Sequence, residues 1–543
     1  MAKARHRLDA VVDSKVVRGA YGVRMVRLKP SAEPIVTSDT SSTEPRAVAP
    51  AGRAGRVPAG VWWVAWGLLT VAAVFLLVQR GVVRGAAFSG DFTMIYAGAR
   101  VWLEGGNPYL LDTLYGSFEA AGGAGERPKD PTWFVALYPP TTYALLGPLG
   151  ALSWTAARLA WLGLSLVSLG AIGVWVGRWW NAYGSTRAAT SHRRAFGRAR
   201  SWTTPGLLWW VPLGLAYMPV HTTLRFGQLG LVVLAMCVWA IGTPRRGTED
   251  RSQTSEPMFA AALSGLLLAV AGGLKPQLAG LFALGLLATG RWRTFAWCVV
   301  WGLGIVGVAV GRWMLPDGTA LAAWWTALRE NLDAFAGQGF ADPRPSNPVA
   351  HHMIHLEPWF WRLGDGLGLT GISGFARLAA AAGLAATIAA AVWMAWRLQR
   401  LGQISERRTP GPVTLWVAAL AATLTLLIAY HRAYDAVLLA VPVAWACLAW
   451  SMGRRWSAAA VVVASLLYLV RLPEVATALI RRGQLSAAWQ ELPGWSAVFL
   501  HQGTWALLLI AVALLIAGPA SASSVSPSAS RPPAAPRNTA TPA

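Results

Sequence analysis

Long apolar stretches separated by short polar ones dominate the chain. Crossing a bilayer takes about 20 mainly apolar helical residues, and candidate stretches lie near residues 61–79, 133–152, 154–176, 203–219, 227–242, 294–315, 371–396, 413–430, 436–452, 456–471 and 504–518. A further apolar stretch, 258–290, is interrupted by Lys275-Pro276, which favours two shorter helices that meet near the outer face of the membrane. The pattern predicts an all-α polytopic membrane protein, a bundle of about 11 to 13 transmembrane helices.

The two ends of the chain differ from this apolar middle. Residues 1–60 mix lysine and arginine with Ser, Thr, Pro and Ala, and residues 519–543 are rich in Ser, Pro and Ala. Such segments cannot bury enough apolar surface to offset the entropy of ordering. We therefore predict a disordered basic cytoplasmic tail over 1–60, a membrane domain over 61–518 and a disordered tail over 519–543. Because the first apolar stretch begins only at Val61, we expect the first helix to remain in the mature protein.

Composition supports a membrane protein and argues against other classes. Hydrophobic residues make up 55% of the 543 and charged residues only 13%, against about 25% charged in soluble domains. The net charge of +23 invites a nucleic-acid partner, but the basic residues lie between apolar stretches and not along one aromatic-bearing face, so we expect none. The three cysteines lie in apolar stretches and support neither a disulfide framework nor a zinc site.

Arginine in the short loops predicts the orientation of the bundle, because such loops stay in the cytoplasm. Arginines cluster at 178–200, 291–293, 397–408 and 454–455, whereas the long segments 80–131 and 317–370 carry more acid. We expect these two segments to form large outer loops. Two full spans between 132 and 177 would place the 178–200 loop outside, so either 133–152 is re-entrant or a boundary is misplaced.

The first candidate for chemistry is Asp91, which follows the first apolar stretch in Gly90-Asp91-Phe92. A carboxylate near the lipid surface can accept a proton from a sugar hydroxyl as that hydroxyl attacks. The alternative is a helix cap, since aspartate at the start of a helix accepts backbone N–H bonds. Spacing alone leaves both interpretations open.

Two polar interruptions of apolar stretches are candidates for binding an anionic ligand. In Arg225-Phe226-Gly227-Gln228, Arg225 can hold a phosphate and Gln228 can hydrogen-bond a ligand, although a tight interhelical turn explains both residues equally well. Lys275 lies inside an apolar hairpin, where a cation is costly unless it snorkels, pairs or meets an anionic ligand. The sequence does not separate snorkelling from ligand binding.

The densest polar cluster at the edge of an apolar stretch is Tyr430-His431-Arg432-Ala433-Tyr434-Asp435. His431 and Arg432 together can neutralise a departing phosphate. The alternative is a structural pair between Arg432 and Asp435 within a belt of interfacial tyrosines.

A metal site is the remaining chemical candidate. His351 and His355 are spaced so that one helical face could present both, but no HExxH pattern occurs and Pro348 and Pro358 flank the segment. We predict a short surface helix here, and neither a metal nor another cofactor.

Five segments, taken in chain order, carry a family resemblance: GDFTMIYAGARVWLEGGNPY (90–109), LYPPTTYALLGPLGAL (137–152), FGQ (226–228), GLLLAVAGGLKPQLAGLFALGLL (265–287) and YHRAYDAVLL (430–439). They resemble glycosyltransferase family 87, whose members are polytopic GT-C enzymes. Two positions depart from the family's pattern. Gly230 stands where many members have Asn, and only His431 stands where its mannosyltransferases often have paired histidines.

The resemblance implies transfer of a sugar, often mannose, from a polyprenyl phosphate carrier to a glycan or glycolipid acceptor on the outer side of the cytoplasmic membrane. Asp91 matches the family's first-loop acidic residue, the expected general base. The carrier phosphate needs fixed cations at the membrane rim, and the chain offers Arg225, Lys275, His431 and Arg432. Other polar side chains of these segments are expected to bind substrate: Tyr96, Tyr109, Gln228, Tyr434 and Asp435.

Two other classes of function compete with this interpretation. A transporter or flippase for a lipid-linked or anionic glycan would also place Lys275 and Arg225 within the membrane, but the matched halves common in transporters are not visible in the sequence. A structural membrane scaffold leaves the outer acidic and histidine clusters unexplained.

Overall fold

The computed structural model describes residues 59–123, 134–183, 205–242, 257–314, 320–337, 342–344, 347, 350–366, parts of 378–393, 412–469, 472–486, 488–489, 495 and 499–518. Residues 1–58 and 519–543, which contain the predicted tails, lie outside this description, as does much of the stretch at 371–396. Within the described residues every regular element is helical, and one isolated antiparallel bridge joins Met353 to Arg432. The all-α prediction is therefore confirmed for this part of the chain.

The first described helices form an interrupted rod followed by shorter pieces. α1 (Ala59–Leu76) continues through a π-helical stretch, Leu77–Val82, into α2 (Val83–Ala87). Phe88 adopts an extended conformation and ends the rod. After it come α3 (Gly90–Glu104), α4 (Leu111–Phe118), α5 (Pro140–Gly150) and α6 (Trp154–Tyr183).

The middle of the chain consists of helices joined by short breaks. They are α7 (Pro205–Ala216), α8 (Met218–Phe226), α9 (Gly230–Ile241), α10 (Met258–Leu274), α11 (Pro276–Ala288) and α12 (Trp292–Met314). Lys275 separates α10 from α11 with φ −152° and ψ 83°, and Pro276 begins α11. Proline is well suited to this first helical position because its missing N–H would have no partner there.

The last part of the described chain is also helical. Its elements are α13 (Ala320–Gly337), α14 (Leu356–Gly366), α15 (Pro412–Ile428), a 3₁₀ stretch (Ala433–Leu439), α16 (Ala440–Ser451), α17 (Arg455–Leu466), α18 (Leu472–Arg481) and α19 (Gln502–Ala517).

Four of the described helical segments are long and apolar enough to cross a membrane: Trp63–Glu104, Trp154–Trp180, Trp292–Arg312 and Ala433–Trp450. The pair α8 and α9, bent by 117°, adds a fifth if it counts as one broken span. Further apolar helices have 10 to 17 residues. These lengths agree with a multi-pass membrane protein, while the number of about 11 to 13 spans stays a prediction.

The ambiguous stretch at 133–152 contains α5, which has 11 residues. At about 1.5 Å per residue, such a helix reaches roughly half way across the hydrocarbon core. The next helix, α6, has 30 residues and is long enough to cross. The lengths agree with the re-entrant alternative, which removes the conflict over the orientation of the following loop.

Close packing fixes α3, which carries Asp91, against α5. A Cβ atom at Gly98 would lie 2.3 Å from the ring of Tyr143, and one at Gly150 would lie 2.7 Å from the backbone nitrogen of Arg100. Both distances are shorter than any van der Waals contact allows, so the two helices can approach this closely only with glycine at both positions.

Aromatic side chains hold the first turn of α3 from the other side. Phe92 stacks on Trp161 with ring centroids 5.1 Å apart and on Trp154 at 6.0 Å. Trp154 also contacts Tyr96 at 5.3 Å. Each such pair contributes about 0.5–1.5 kcal/mol beyond the area it buries, so the position of residue 91 depends on this aromatic layer.

We expect Gly150→Ala to destabilise the protein, because the added methyl group overlaps the backbone of α3 and overpacking costs about 1–3 kcal/mol. Gly163→Ala in α6 is the matched control, since a Cβ atom there meets nothing within 4 Å. The midpoint of thermal unfolding in detergent should fall for Gly150→Ala and stay near wild type for Gly163→Ala. Equal midpoints for the two variants would contradict the described contact between α3 and α5.

Candidate functional site

Four interruptions of helices bring polar side chains together. They lie before α3, between α8 and α9, between α10 and α11, and between α15 and the 3₁₀ stretch. Gln228 donates a hydrogen bond to Asp91, and Lys275 binds Asp435. The charges of Lys275 and Asp435 also act on Asp91, so the two pairs are neighbours. We call Asp91, Gln228, Lys275, His431 and Asp435 the polar cluster.

Asp91 lies in the first turn of α3 and is half-buried. The N-cap position belongs to Ser89, whose hydroxyl donates instead to the Gly85 carbonyl at 2.7 Å. The Asp91 carboxylate accepts a hydrogen bond from Gln228 Nε2, and the positive charge of Arg432 acts on it. The carboxylate is thus held by a side chain from another pair of helices, which the helix-cap alternative does not predict.

The turn between α8 and α9 positions Gln228. Gly227 has φ +67°, and a Cβ atom there would lie 2.5 Å from Cβ of Phe92, so the turn needs glycine for its conformation and for its approach to α3. Trp161 Nε1 donates to the Gly227 carbonyl at 2.9 Å, and the Gln228 backbone N–H donates to the Thr223 carbonyl at 2.9 Å. The two interpretations of this segment, a tight turn and a ligand-binding site, are therefore compatible. A rigid turn can hold the Gln228 side chain beside Asp91.

Lys275 is 5% exposed and does not snorkel to the membrane surface. Its Nζ lies 2.6 Å from Oδ1 of Asp435 and 5.5 Å from the centroid of the Tyr434 ring. Around the same break, the hydroxyl of Thr141 donates to the Gly273 carbonyl at 2.7 Å and that of Thr142 to the Leu274 carbonyl at 2.9 Å. Lys275 and the carbonyls of Gly273 and Leu274 thus have partners inside the protein.

Asp435 is 2% exposed and uses both carboxylate oxygens inside the protein. Oδ1 contacts Lys275, and Oδ2 lies 3.0 Å from Nδ1 of His431. Arg432 Nε donates instead to the hydroxyl of Tyr430 at 2.7 Å. The described partners of Asp435 are therefore Lys275 and His431, and the alternative of a structural Arg432–Asp435 pair is not the arrangement found.

Burial sets the protonation of the groups beside Asp435. Burial lowers the pKa of His431, and the hydrogen bond to Asp435 opposes this effect only in part. For Arg432, burial lowers the pKa of the guanidinium, but Tyr430 and Tyr434 outweigh it and raise that pKa. At neutral pH His431 therefore presents a neutral imidazole, and Arg432 presents a charged guanidinium.

Three predicted site residues lie away from the polar cluster. Tyr96 is fully buried in the aromatic layer, and its hydroxyl donates to the Leu152 carbonyl at 2.6 Å. Tyr109 is 3% exposed and does not contact the polar cluster itself. Its hydroxyl donates a hydrogen bond of 2.9 Å to the Tyr138 carbonyl. Arg225 lies over the ring of its neighbour Phe226 at 5.2 Å, and no described hydrogen bond or ion pair joins it to the polar cluster.

The expected surface helix around the histidines is partly wrong. A 3₁₀ turn covers Ala350–His352, and the side chain of His351 lies outside the described part of the structure. His355 is 4% exposed and packs edge-on against Tyr430 at 5.8 Å; burial, followed by the nearby His431, lowers its pKa to about 3. Among the described residues, no group of three or more His, Cys, Asp or Glu could hold a metal ion.

One residue at the site was missed in the sequence. Tyr138 immediately precedes the two prolines that begin α5, and Asp91, Asp435 and Gln228 all act on its hydroxyl. In the sequence, Tyr138 lies in the family-like segment 137–152, and that segment gave it no part in the site. The signal available was a tyrosine next to a proline pair at the edge of an apolar stretch, which is not specific for a site.

The model of glycosyltransferase family 87 matches residues 136–408. The chain belongs to glycosyltransferase family 87. The match includes Tyr138, Gln228 and Lys275, whereas Asp91 and Asp435 lie outside it. The resemblance drawn from the sequence is confirmed, and a glycosyltransferase is favoured over the transporter alternative.

The chain also resembles a curated protein at low identity. The chain is 26% identical over 200 residues to a polyprenol-phosphate-mannose-dependent alpha-(1-2)-phosphatidylinositol pentamannoside mannosyltransferase of Mycobacterium tuberculosis (strain CDC 1551 / Oshkosh). The aligned region covers 36% of this chain and 37% of the relative, so the chain spans well under half of that protein's length. No solved structure matches the chain.

Breaking the buried ion pair should be costly in this family 87 chain. Lys275→Met leaves Asp435 buried with His431 alone, and removing one partner of a buried pair costs about 3–5 kcal/mol. Asp435→Asn leaves the Lys275 charge buried, whereas the double variant removes both charges. We therefore expect the double variant to lose less stability than the two single variants summed, measured by thermal unfolding in detergent.

Glu104→Gln is the control for this cycle. It breaks the pair of Arg100 and Glu104 on α3, whose side chains are 25% and 49% exposed, and exposed pairs contribute about 0–1 kcal/mol. Strictly additive losses from Lys275→Met and Asp435→Asn would show that the two side chains do not interact.

Proposed function

We propose that the protein transfers a hexose from a polyprenyl phosphate carrier to a glycan or glycolipid on the outer side of the cytoplasmic membrane. Mannose is the favoured hexose. Family membership supports a glycosyltransferase, and the polyprenol-phosphate-mannose dependence of the relative supports the carrier and the sugar. The observation that carries the proposal is the Asp91 carboxylate, held by Gln228 beside the positive charges of Arg432 and Lys275.

Asp91 is the general base of this proposal. The acceptor hydroxyl attacks the anomeric carbon, the bond between that carbon and the carrier phosphate breaks, and the hydroxyl proton passes to the Asp91 carboxylate. Gln228 donates to one carboxylate oxygen and so orients the group without adding a charge. The products are the glycoside and the polyprenyl phosphate.

The leaving phosphate needs a positive charge, and Arg432 is the best supported candidate. Its guanidinium acts on Asp91, and a planar guanidinium suits phosphate oxygens. Lys275 and His431 already bind Asp435, so we assign them an indirect part, holding the carboxylate and contributing to the local potential. Arg225 remains a weaker candidate for the phosphate, because its described contact is with Phe226.

The helix breaks supply further positive potential. The N-termini of α3, α9 and α11 adjoin Asp91, Gln228 and Lys275 respectively, and a helix N-terminus carries about half a positive charge. A phosphate drawn to this region would keep its polyprenyl chain in the bilayer, because the surrounding helices are apolar. The proposed donor therefore suits a polar site at the end of membrane helices.

Asp91→Asn tests the general base. We expect transfer to fall at least about a hundredfold, the usual scale for losing such a group, because the amide cannot take up the hydroxyl proton. The assay incubates purified protein with polyprenyl phosphate mannose and a glycolipid extract, and follows the release of polyprenyl phosphate. The unfolding midpoint should stay near wild type.

Asp112→Asn is the matched control for Asp91→Asn. Asp112 is the second residue of α4, as Asp91 is of α3, and it is exposed. The substitution removes the same charge from the same helical position and should leave transfer unchanged. Near-normal turnover of Asp91→Asn would remove Asp91 from the mechanism.

Arg432→Gln tests the phosphate assignment. Hydrogen bonds to charged groups contribute about 1.5–3 kcal/mol, so we expect the KM for the polyprenyl phosphate sugar to rise at least about tenfold while the KM for the acceptor changes little. Arg225→Gln should raise the donor KM less. Equal effects of the two variants, or a larger effect of Arg432→Gln on the acceptor, would show that Arg432 does not hold the carrier phosphate.

A further inference from the structure

Tyr138 is fixed in position by contacts from two sides. Its carbonyl accepts a hydrogen bond of 2.9 Å from the hydroxyl of Tyr109. Asn331 Nδ2, on α13, donates to the carbonyls of Tyr109 at 2.9 Å and of Ala136 at 3.3 Å. Pro139 follows Tyr138 in an extended conformation, with φ −64° and ψ 155°. These contacts fix the backbone from which the Tyr138 side chain extends.

The Tyr138 hydroxyl stays protonated at neutral pH. Burial raises the pKa of this phenol, and the negative charges of Asp91 and Asp435 raise it further. A phenol in this state has one O–H to donate and an oxygen that accepts.

Of the hydrogen-bonding groups around Tyr138, two are available to a ligand. Both oxygens of Asp435 are occupied by Lys275 and His431. Gln228 Nε2 donates to Asp91, and the Tyr138 hydroxyl lies within reach of the same amide group, whose second N–H suits its oxygen. The Tyr138 O–H is then available for a further acceptor.

Gln228 Oε1 is the second open group. The Gln228 side chain is 1% exposed, and Oε1 has no hydrogen-bond partner among the described residues. A buried carbonyl oxygen without a partner costs about 1–3 kcal/mol, so a ligand that donates to it gains that free energy. An open donor and an open acceptor thus lie together beside Asp91.

We propose that Tyr138 and Gln228 bind one hydroxyl group of the acceptor sugar, the neighbour of the hydroxyl that gives its proton to Asp91. A sugar hydroxyl both donates and accepts, so it can donate to Gln228 Oε1 and accept from Tyr138. Gln228 touches Asp91 directly, and hydroxyls on adjacent carbons have the short spacing that lets one reach each side chain. The acceptor is therefore a sugar with a vicinal diol at the transfer position, an inference that rests on the proposed role of Asp91.

The test pairs one variant with a series of acceptors. The probes are octyl α-D-mannopyranoside and its monodeoxy analogues, with polyprenyl phosphate mannose as the donor, and the linkage of the product identifies the reacting carbon. For wild type, we expect kcat/KM to fall about tenfold on the analogue that lacks one hydroxyl adjacent to that carbon. Tyr138→Phe should show a similar loss on the parent mannoside and no further loss on that analogue.

Tyr143→Phe is the matched control, because it also removes one oxygen from a buried tyrosine near the site. Tyr143 packs on Gly98 at the contact between α3 and α5, so its acceptor profile should equal that of wild type. A merely structural role for Tyr138 predicts an equal loss on every acceptor, and that result would overturn the inference.

The remaining outcomes separate the inference from the proposed function. If Tyr138→Phe does not fold, a wild-type profile in which no adjacent deoxy position matters overturns the inference by itself. A loss that follows the hydroxyls of the donor sugar would assign Tyr138 to the donor and equally overturn it. Wild-type protein that transfers to a glycolipid extract but to no octyl mannoside contradicts only the inferred acceptor. Failure to release polyprenyl phosphate with any acceptor contradicts the proposed function itself.

Discussion

The buried ion pair between Lys275 and Asp435 is the constraint on which the described site depends. Each charge alone would be costly among apolar helices. The contact of 2.6 Å between Lys275 and Asp435, together with His431 at 3.0 Å from the second carboxylate oxygen, offsets that cost. The pair joins the α10–α11 break to the 3₁₀ stretch. The pair thereby fixes where these two interruptions lie relative to each other.

The interruptions persist because their backbone groups have partners. An unsatisfied carbonyl in a membrane costs several kcal/mol, at about the level seen for buried polar groups in general. Threonine hydroxyls bind the carbonyls at the end of α10, and the hydroxyl of Tyr217 donates to the Ala436 carbonyl at 3.3 Å. Satisfied breaks can therefore lie among apolar helices and present polar side chains there.

The two carboxylates of the polar cluster have different surroundings, which suits them to different work. Asp435 is held by a cation and an imidazole on separate oxygens, so it is an anchor with little capacity for further bonds. Asp91 is held by a neutral amide, which leaves its charge available for a proton. Differences of this kind separate the roles of paired acids in many enzymes, and here they support Asp91 as the base.

The sequence by itself determined the helical class, the Lys275-Pro276 break, the glycine turn before Gln228 and the family, because span length, proline and glycine act locally. The sequence did not determine which side chains contact each other. Gln228 and Asp91 are 137 residues apart, and Lys275 and Asp435 are 160 apart. Apolar helices carry little information about which neighbour they meet, so Arg432 was an equally good partner for Asp435. Only tertiary packing placed Tyr96 away from the polar cluster and Tyr138 beside it. Packing also decided that Lys275, and not Arg432, pairs with Asp435.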